Sequence, residues 1–373
     1  MRILLLGDAI AEHLLRWSKA FARRGHEVHV MTWNPRMLAG YEPVVVHLVR
    51  KWSRRTGPLA RAVNLLRLRF AVRRLIARIR PDLVHAHSAG AYAWLTMFTG
   101  FRPYLISPWG NDVLLDVHQS TFDRFFTVHA LRRADLVHCE GQNTKQAMVG
   151  LGVEAEKILV MPLGVDVEKF SPGSPPAELV QKYPLSGRKV VVSTRTLYPV
   201  HNVESVIRAA PLVLERVPEA VFLIVGGGVE EGMLRSLAES LGIAGAVVFT
   251  GRVAEDEMVA CLRAADVYVS TSLSESGLAV SMAEAMACGL PIVNTDVGDI
   301  YSWIQEGDGG FVVPVKRPDL LADRIAHVLE NAEQRSRWSA INRRIIVERD
   351  NVEVVARRME EVYRRLVSAR GAG

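Results

Sequence analysis

The sequence predicts an α/β protein built as two parallel-sheet domains, and three observations lead there. The chain has 373 residues, against an ordinary domain size of about 150. Both halves alternate short apolar runs with longer helical patterns. Between them lies Phe170-Ser171-Pro172-Gly173-Ser174-Pro175-Pro176, a breaker cluster that neither a helix nor a central strand accommodates. The expected division is a first domain over 1–168, a linker over 169–186, a second domain over 187–350 and a C-terminal segment over 351–373.

In the first half, residues 3–6, 28–31, 44–49, 83–85, 104–106 and 136–139 read as strands. Helical stretches at 14–24 and 59–80 separate several of them. These runs lack strict polar alternation, which suits a parallel sheet covered on both faces. The second half repeats the theme with strands at 190–193, 221–225, 247–249, 267–270 and 291–294. Helices are expected at 203–216, 231–241, 277–288 and, near the end, 351–368.

Composition narrows the class further. The three cysteines, Cys139, Cys261 and Cys288, are scattered and form no C-x-x-C pair, which argues against a disulfide framework or a zinc site. A reduced, cytoplasmic setting is expected. The opening apolar run is too short for a signal peptide, and no stretch approaches the roughly 20 apolar residues of a membrane span. Charge is uneven: residues 1–170 hold 24 Lys/Arg against 14 Asp/Glu, while the remainder holds 22 against 26. The first half therefore suits an anionic partner.

In open parallel sheets, ligands bind where strands end and loops lead into helices. The most informative such loop follows Ser270 and runs through Ser274-Glu275-Ser276-Gly277-Leu278 into a small-residue helix carrying Glu284. Gly289 reads as its C-cap, with Pro291 just beyond. Free backbone N–H groups at the helix start near Gly277 offer a seat for phosphate. Glu284, among Met282, Ala283, Ala285 and Met286, is a carboxylate in apolar company and needs hydroxyl or cationic partners.

The segment 274–291 resembles the signature of the retaining family 4 glycosyltransferases, which have the GT-B fold. The resemblance implies two Rossmann-like domains facing across a cleft, with the C-terminal helix crossing back to the first. It implies that Glu284 holds the ribose of a nucleoside-diphosphate sugar, and that an acid eight positions earlier contacts the sugar. Here Ser276 stands eight back and Glu275 nine back. Either Glu275 serves from a longer loop or Ser276 serves more weakly. A second family element is an Arg followed five positions later by a Lys, which together grip the diphosphate. Arg195 fits, since a guanidinium binds phosphate bidentately, but Val200 occupies the Lys position. His201 and Asn202 are the candidate substitutes. Gly251-Arg252-Val253 resembles the loop used near the base; like Gly226-Gly227-Gly228, it also reads simply as a tight turn after a strand.

On the acceptor side, Gly7 and Asp8 leave the opening strand, and His87, Trp109, Asn111 and Asp112 end two others. Asp112 is the polar candidate for orienting the acceptor, with helix capping as the alternative. His85-x-His87 lacks a third ligand nearby, so no metal is expected.

Residues 51–80 contain ten Lys/Arg and no acid. Leu65, Leu68, Val72, Leu75 or Ile76, and Ile79 form an apolar stripe, with Arg67, Arg74 and Arg78 opposite and Arg69, Arg73 and Arg80 along a flank. The stripe packs inward and the arginines are expected to meet anionic lipid. Nucleic acid is not expected, for want of interleaved aromatics; the sequence leaves the oligomeric state open.

The expected activity is transfer of a hexose to a hydroxyl of a lipid-linked, glycan or other envelope-type acceptor, with retained configuration. Arg195, Glu284 and Asp112 are the expected catalytic residues. The donor is a co-substrate, and neither cofactor nor metal is expected. A GT-B epimerase and a donor-binding protein with little turnover are the alternatives. A dehydrogenase would need Gly-x-Gly-x-x-Gly after a strand, and Glu231 stands where the third glycine belongs.

Overall fold

The computed structural model describes residues 1–37, 39–50 and 58–371, with the side chains of 58–62 and 371 excepted. Residues 51–57, the first part of the basic segment, lie outside the described residues. The chain divides into two units, one of residues 1–164 with 352–373 and one of residues 165–351.

Unit 1 holds β1 (Arg2–Leu6), β2 (Glu27–Thr32), β3 (Val45–Leu48), β4 (Leu83–His87), β5 (Tyr104–Ser107), β6 (Leu136–Cys139) and β7 (Ile158–Val160). They form one sheet in the order β3-β2-β1-β4-β5-β6-β7, every pair parallel. Its helices are α1 (Glu12–Arg23), α2 (Pro58–Ile79), α3 (Ala91–Thr99), α4 (Asn111–Leu114), α5 (Thr121–Arg133) and α6 (Gln142–Gly150). Successive strand side chains point to opposite faces. Accordingly, Ile3 and Leu5 enter one apolar layer with α1 residues Leu14, Trp17 and Phe21. Leu4 and Leu6 enter the other, with Val72 and Leu75 of α2 and Tyr92 and Trp94 of α3.

Unit 2 begins with α7 (Ala177–Lys182), inside the stretch expected as linker. Leu179, Tyr183 and Leu185 are buried in its core together with Phe170, so residues 169–186 are anchored to unit 2. Its strands are β8 (Lys189–Ser193), β9 (Ala220–Val225), β10 (Val247–Gly251), β11 (Val267–Ser270), β12 (Ile292–Thr295), β13 (Gln305–Glu306) and β14 (Gly309–Val313). The sheet order is β10-β9-β8-β11-β12-β14-β13, again parallel throughout. The helices are α8 (Glu204–Arg216), α9 (Glu231–Ser240), α10 (Glu255–Arg263), α11 (Val280–Ala287), α12 (Pro318–Glu330) and α13 (Ala332–Arg349).

The last helix, α14 (Val352–Gly371), belongs to unit 1. Val355, Met359 and Tyr363 are buried against α1 and the sheet. The Tyr363 hydroxyl reaches His85 Nδ1 at 2.6 Å, His85 Nε2 reaches Ser107 Oγ at 2.7 Å, and Ser107 Oγ reaches His138 Nδ1 at 2.8 Å. His138 Nε2 meets the Met161 carbonyl at 2.7 Å. A carbonyl only accepts, so His138 carries its proton on Nε2. Every donor then follows in turn: Ser107 donates to His138, His85 to Ser107, and Tyr363 to His85. This buried chain ties α14 to β4, β5 and β6.

On α2 the expected stripe is present, with Leu68, Val72, Leu75 and Ile79 buried. The outward line is less purely basic than the sequence suggested. Leu66 is 53% and Phe70 55% exposed, beside exposed Arg67, Arg73, Arg74 and Arg78. Among the described residues no helix is long and apolar enough to cross a membrane. All three cysteines are buried thiols, and burial pushes the Cys261 and Cys288 thiols up to about 12.

Candidate functional site

Each sheet reverses its strand order near its centre, and ligands in such sheets bind beyond the carboxyl ends of the strands at that reversal. In unit 2 the reversal lies between β8 and β11. The loop after β8 carries Arg195 and His201; the loop after β11 carries Glu275 and leads into α11. The fold therefore brings these residues together, although eighty positions separate Arg195 from Glu275.

Arg195 is the hub. Its Nη2 is ion-paired with Glu275 Oε1, the side chains being 11% and 16% exposed. Its Nη1 donates to Ser281 Oγ at 2.9 Å, and Tyr268 donates to the same oxygen at 2.9 Å. Arg195 Nη2 also meets His201 Nδ1 at 2.8 Å. A guanidinium only donates, so Nδ1 accepts and the imidazole proton sits on Nε2. Burial, reinforced by the Arg195 charge, lowers the His201 pKa to about 4. His201 is thus a neutral imidazole with a donating Nε2–H, and that nitrogen has no partner among the described residues.

Helix α11 starts at Val280 rather than at Gly277. Gly277 lies in the approach loop with φ 147°, so the free N–H groups begin three residues later, beside Ser281. Glu284, 8% exposed, follows Ser281 by three residues on the same helix, close to one turn. Leu278 is buried in the core. Asn202 sits at φ 47°, and its amide donates to Ser205 Oγ at 2.8 Å and the Thr271 carbonyl at 3.3 Å. That amide holds the two loops in register.

Three glycines set the backbone around Arg195. A Cβ on Gly226 would lie 2.6 Å from the Arg195 carbonyl oxygen, and one on Gly228 2.1 Å from that of Leu197. The triple glycine, a plain turn on sequence grounds, is required for close approach to the Arg195 loop. A Cβ on Gly298 would lie 2.7 Å from the Gly277 carbonyl and 3.1 Å from Glu275 Cβ. The 251–253 loop joins them through a 2.9 Å bond from Gly226 N–H to the Gly251 carbonyl. Arg252 is exposed there, and Val253 is partly buried.

In unit 1 the reversal lies between β1 and β4, where Gly7 and Asp8 leave one strand and His87 ends the other. Gly7 has no room for a side chain: its Cβ would lie 2.8 Å from Leu14 Cδ2 and 3.2 Å from His87 Cβ. Asp8 accepts from Asn34 Nδ2 at 3.0 and 3.2 Å. His87, expected at an opening, is fully buried instead. It packs between Trp17 and His85, at centroid distances of 5.5 and 4.4 Å, because β4 lies in the middle of the sheet. Neither of its ring nitrogens has a hydrogen-bond partner, and burial, then neighbouring imidazoles, hold its pKa well below 6.5. Trp109 is 39% exposed and meets His13 edge-on at 4.9 Å. Asn111 is exposed. Asp112 lies inside the first turn of α4, whose N-cap is Gly110. It accepts from Ala89 N–H at 2.6 Å and Trp109 N–H at 3.0 Å, so it braces two loops, and burial pushes its pKa up to about 6. Among the described residues no group of three or more His, Cys, Asp or Glu could hold a metal ion.

Sequence reasoning missed Ser281, Tyr268, His13 and Gly298. Ser281 had a signal, standing near one helical turn from Glu284; Gly298, distant in sequence from the loop it touches, had none.

Residues 10–169 match the family model described as Glycosyltransferase Family 4, and residues 177–345 match Glycosyl transferases group 1. The chain is similar to the GDP-mannose-dependent alpha-(1-6)-phosphatidylinositol monomannoside mannosyltransferase of Mycobacterium tuberculosis. The two are 28% identical over 306 residues, covering 79% of this chain and 78% of that one. A phosphatidyl-myo-inositol mannosyltransferase of the same organism is 27% identical over 377 residues, 95% of this chain and 92% of that one. Among solved structures, sucrose-phosphate synthase from Thermosynechococcus elongatus superposes with a TM-score of 0.84 at 19% identity, covering 99% of this chain and 100% of that one.

Proposed function

Because the chain belongs to the group 1, family 4 glycosyltransferases and has their GT-B fold, we propose that it moves a hexose from a nucleoside-diphosphate sugar to a hydroxyl of a glycolipid or other envelope-type acceptor. The observation that carries this reading is the convergence of Arg195, Glu275 and the start of α11 at the strand reversal of unit 2. Departure of the sugar leaves charge on the diphosphate, and fixed donors aimed at that charge are the main catalytic device such a site offers.

In this reading Arg195 and the first N–H groups of α11 take the diphosphate, and Glu284 takes the ribose hydroxyls. Glu275, already beside Arg195, meets the sugar. Asp112 and its loop face the acceptor. Transfer proceeds with retention: the bond from the anomeric carbon to the diphosphate breaks, the acceptor oxygen bonds to that carbon on the same face, and its proton passes to the leaving phosphate. Glu275 and Glu284 are not a glycosidase pair, and the scheme uses neither cofactor nor metal. The name of one mycobacterial relative supports GDP-mannose as the first donor to test, and the names of both support a phosphatidylinositol-type lipid as acceptor. The arginine-rich α2, with Leu66 and Phe70 exposed, supports peripheral work at the cytoplasmic membrane face.

The test is release of nucleoside diphosphate from a panel of donors, with and without lipid-extracted acceptors. Release that depends on acceptor supports transfer. Loss of donor without acceptor and with sugar inversion would instead indicate an epimerase, and stoichiometric binding without release a donor-binding protein.

A further inference from the structure

Among the described residues, Ser281 accepts two hydrogen bonds and donates none. Arg195 Nη1 and the Tyr268 hydroxyl both donate to its Oγ, each at 2.9 Å. A hydroxyl oxygen offers two lone pairs and one O–H. The guanidinium and the phenol fill both lone pairs, so the remaining tetrahedral direction around Oγ belongs to the hydrogen.

Neither donor can change its role. A guanidinium has no acceptor to offer. The phenol of Tyr268 is fully buried, and burial raises its pKa, so it keeps a proton that must be placed. Ser281 Oγ receives that proton; leaving a buried donor unpaired costs its full desolvation. The sheet fixes the ring. Tyr268 is the second residue of β11, in register with Val192 of β8 and Ile292 of β12, and it shares an apolar layer with Leu278, Met282 and Met286. Phenylalanine would fill that layer as well, so packing alone does not account for the hydroxyl.

Ser281, by contrast, is partly exposed. It is the second residue of α11, among the first N–H groups that the proposed function gives to the diphosphate. A phosphate oxygen there only accepts, and a hydrogen bond to a charged oxygen is among the stronger kinds. We propose that Ser281 donates its O–H to a phosphate oxygen of the nucleoside-diphosphate donor, and that Tyr268, which touches no substrate, is the positioning residue that aims it. This role rests on the donor reading above and adds a side-chain donor to it. Departure of the sugar adds charge to the diphosphate, so the same bond strengthens as transfer proceeds.

Calorimetric titration of GDP and of UDP into the wild type, Ser281→Ala, Tyr268→Phe and the double variant tests this. With the nucleotide that binds the wild type, Ser281→Ala should lose about tenfold in affinity, as for one hydrogen bond to a charged group. Tyr268→Phe keeps the bond from Arg195 to Ser281 but releases the serine hydroxyl. It should lose about threefold, because that hydroxyl then spreads over its staggered positions. The double variant should bind no more weakly than Ser281→Ala, since the tyrosine acts through the serine; a merely structural tyrosine would weaken both backgrounds alike. Unchanged melting temperatures keep a folding defect from imitating the result. Wild-type affinity in Ser281→Ala would overturn the phosphate contact. Wild-type affinity in Tyr268→Phe alone, or losses that multiply in the double variant, would overturn the positioning role. A wild type that binds neither nucleotide would overturn the donor reading itself, and this proposal with it.

Discussion

Arg195 and Glu275 form an ion pair at the strand reversal of unit 2, with most of both side chains out of water. Removing one partner of a buried pair strands the other charge, at a cost of about 3 kcal/mol or more. The same carboxylate competes for the guanidinium that the proposed function gives to the diphosphate. Glu275→Gln should therefore lower the melting temperature of the free protein while tightening nucleoside-diphosphate binding several-fold. Turnover should fall, because the sugar loses its carboxylate. Thermal shift with and without nucleotide, alongside steady-state kinetics, separates these effects. Weaker nucleotide binding by Glu275→Gln would count against the pairing argument.

His201 gives a prediction with a defined pH dependence. Its pKa, lowered to about 4 by burial and Arg195, keeps it neutral through the physiological range. It should offer a hydrogen bond to the diphosphate without adding a charge. Affinity for an intact nucleotide sugar, whose diphosphate does not titrate near neutrality, should stay flat from about pH 8 to 5.5. His201→Phe should weaken that affinity by about tenfold or more, as expected for a hydrogen bond to a charged group worth 1.5–3 kcal/mol. An affinity that rises around pH 6.5 would identify a charged imidazole and contradict the assignment.

The chain from Tyr363 through His85 and Ser107 to His138 holds the last helix to unit 1. Tyr363→Phe leaves a buried imidazole nitrogen unpartnered and should cost about 1–3 kcal/mol of stability, read by denaturant unfolding. Burial lowers the pKa values of both His85 and His138, the latter to about 4. An imidazole with a depressed folded pKa contributes its full stability above about pH 6.5 and loses it as pH falls through the folded value. At pH 5, His138 alone should cost about 2 kcal/mol. Unfolding at pH 5 should accordingly take up protons, and a stability independent of pH between 7 and 5 would contradict the buried chain.

Much of this was legible in the sequence, for reasons that differ by element. Strands such as β1 and β9 announced themselves as unbroken apolar runs because both of their faces are covered. β14 did not, because it opens with Gly309-Gly310, which reads as a turn. Gly310 is there because a Cβ would lie 2.2 Å from the Ile292 carbonyl of the neighbouring strand, a contact no local pattern reveals. The segment 169–186 looked like a linker from its prolines, yet its few apolar residues are enough to anchor it to unit 2. Around the candidate site, Arg195 and Glu275 were legible only through the resemblance to the family signature, with Ser276 as the alternative to Glu275. Ser281 carries no charge and the glycines no side chain, so their parts emerge only from tertiary contact. His87 shows the reverse: polar at a strand end, it invited a surface role that a central strand denies it.

The central claim is that one pocket of unit 2 grips an activated sugar carrier between the guanidinium of Arg195 and the carboxylate of Glu284. Calorimetric titration of GDP and of UDP into the wild type, Arg195→Ala and Glu284→Ala tests it most directly. One nucleotide should bind the wild type at a single site, and each variant should lose about tenfold or more in affinity while remaining folded. Both variants binding that nucleotide as tightly as the wild type would contradict the account.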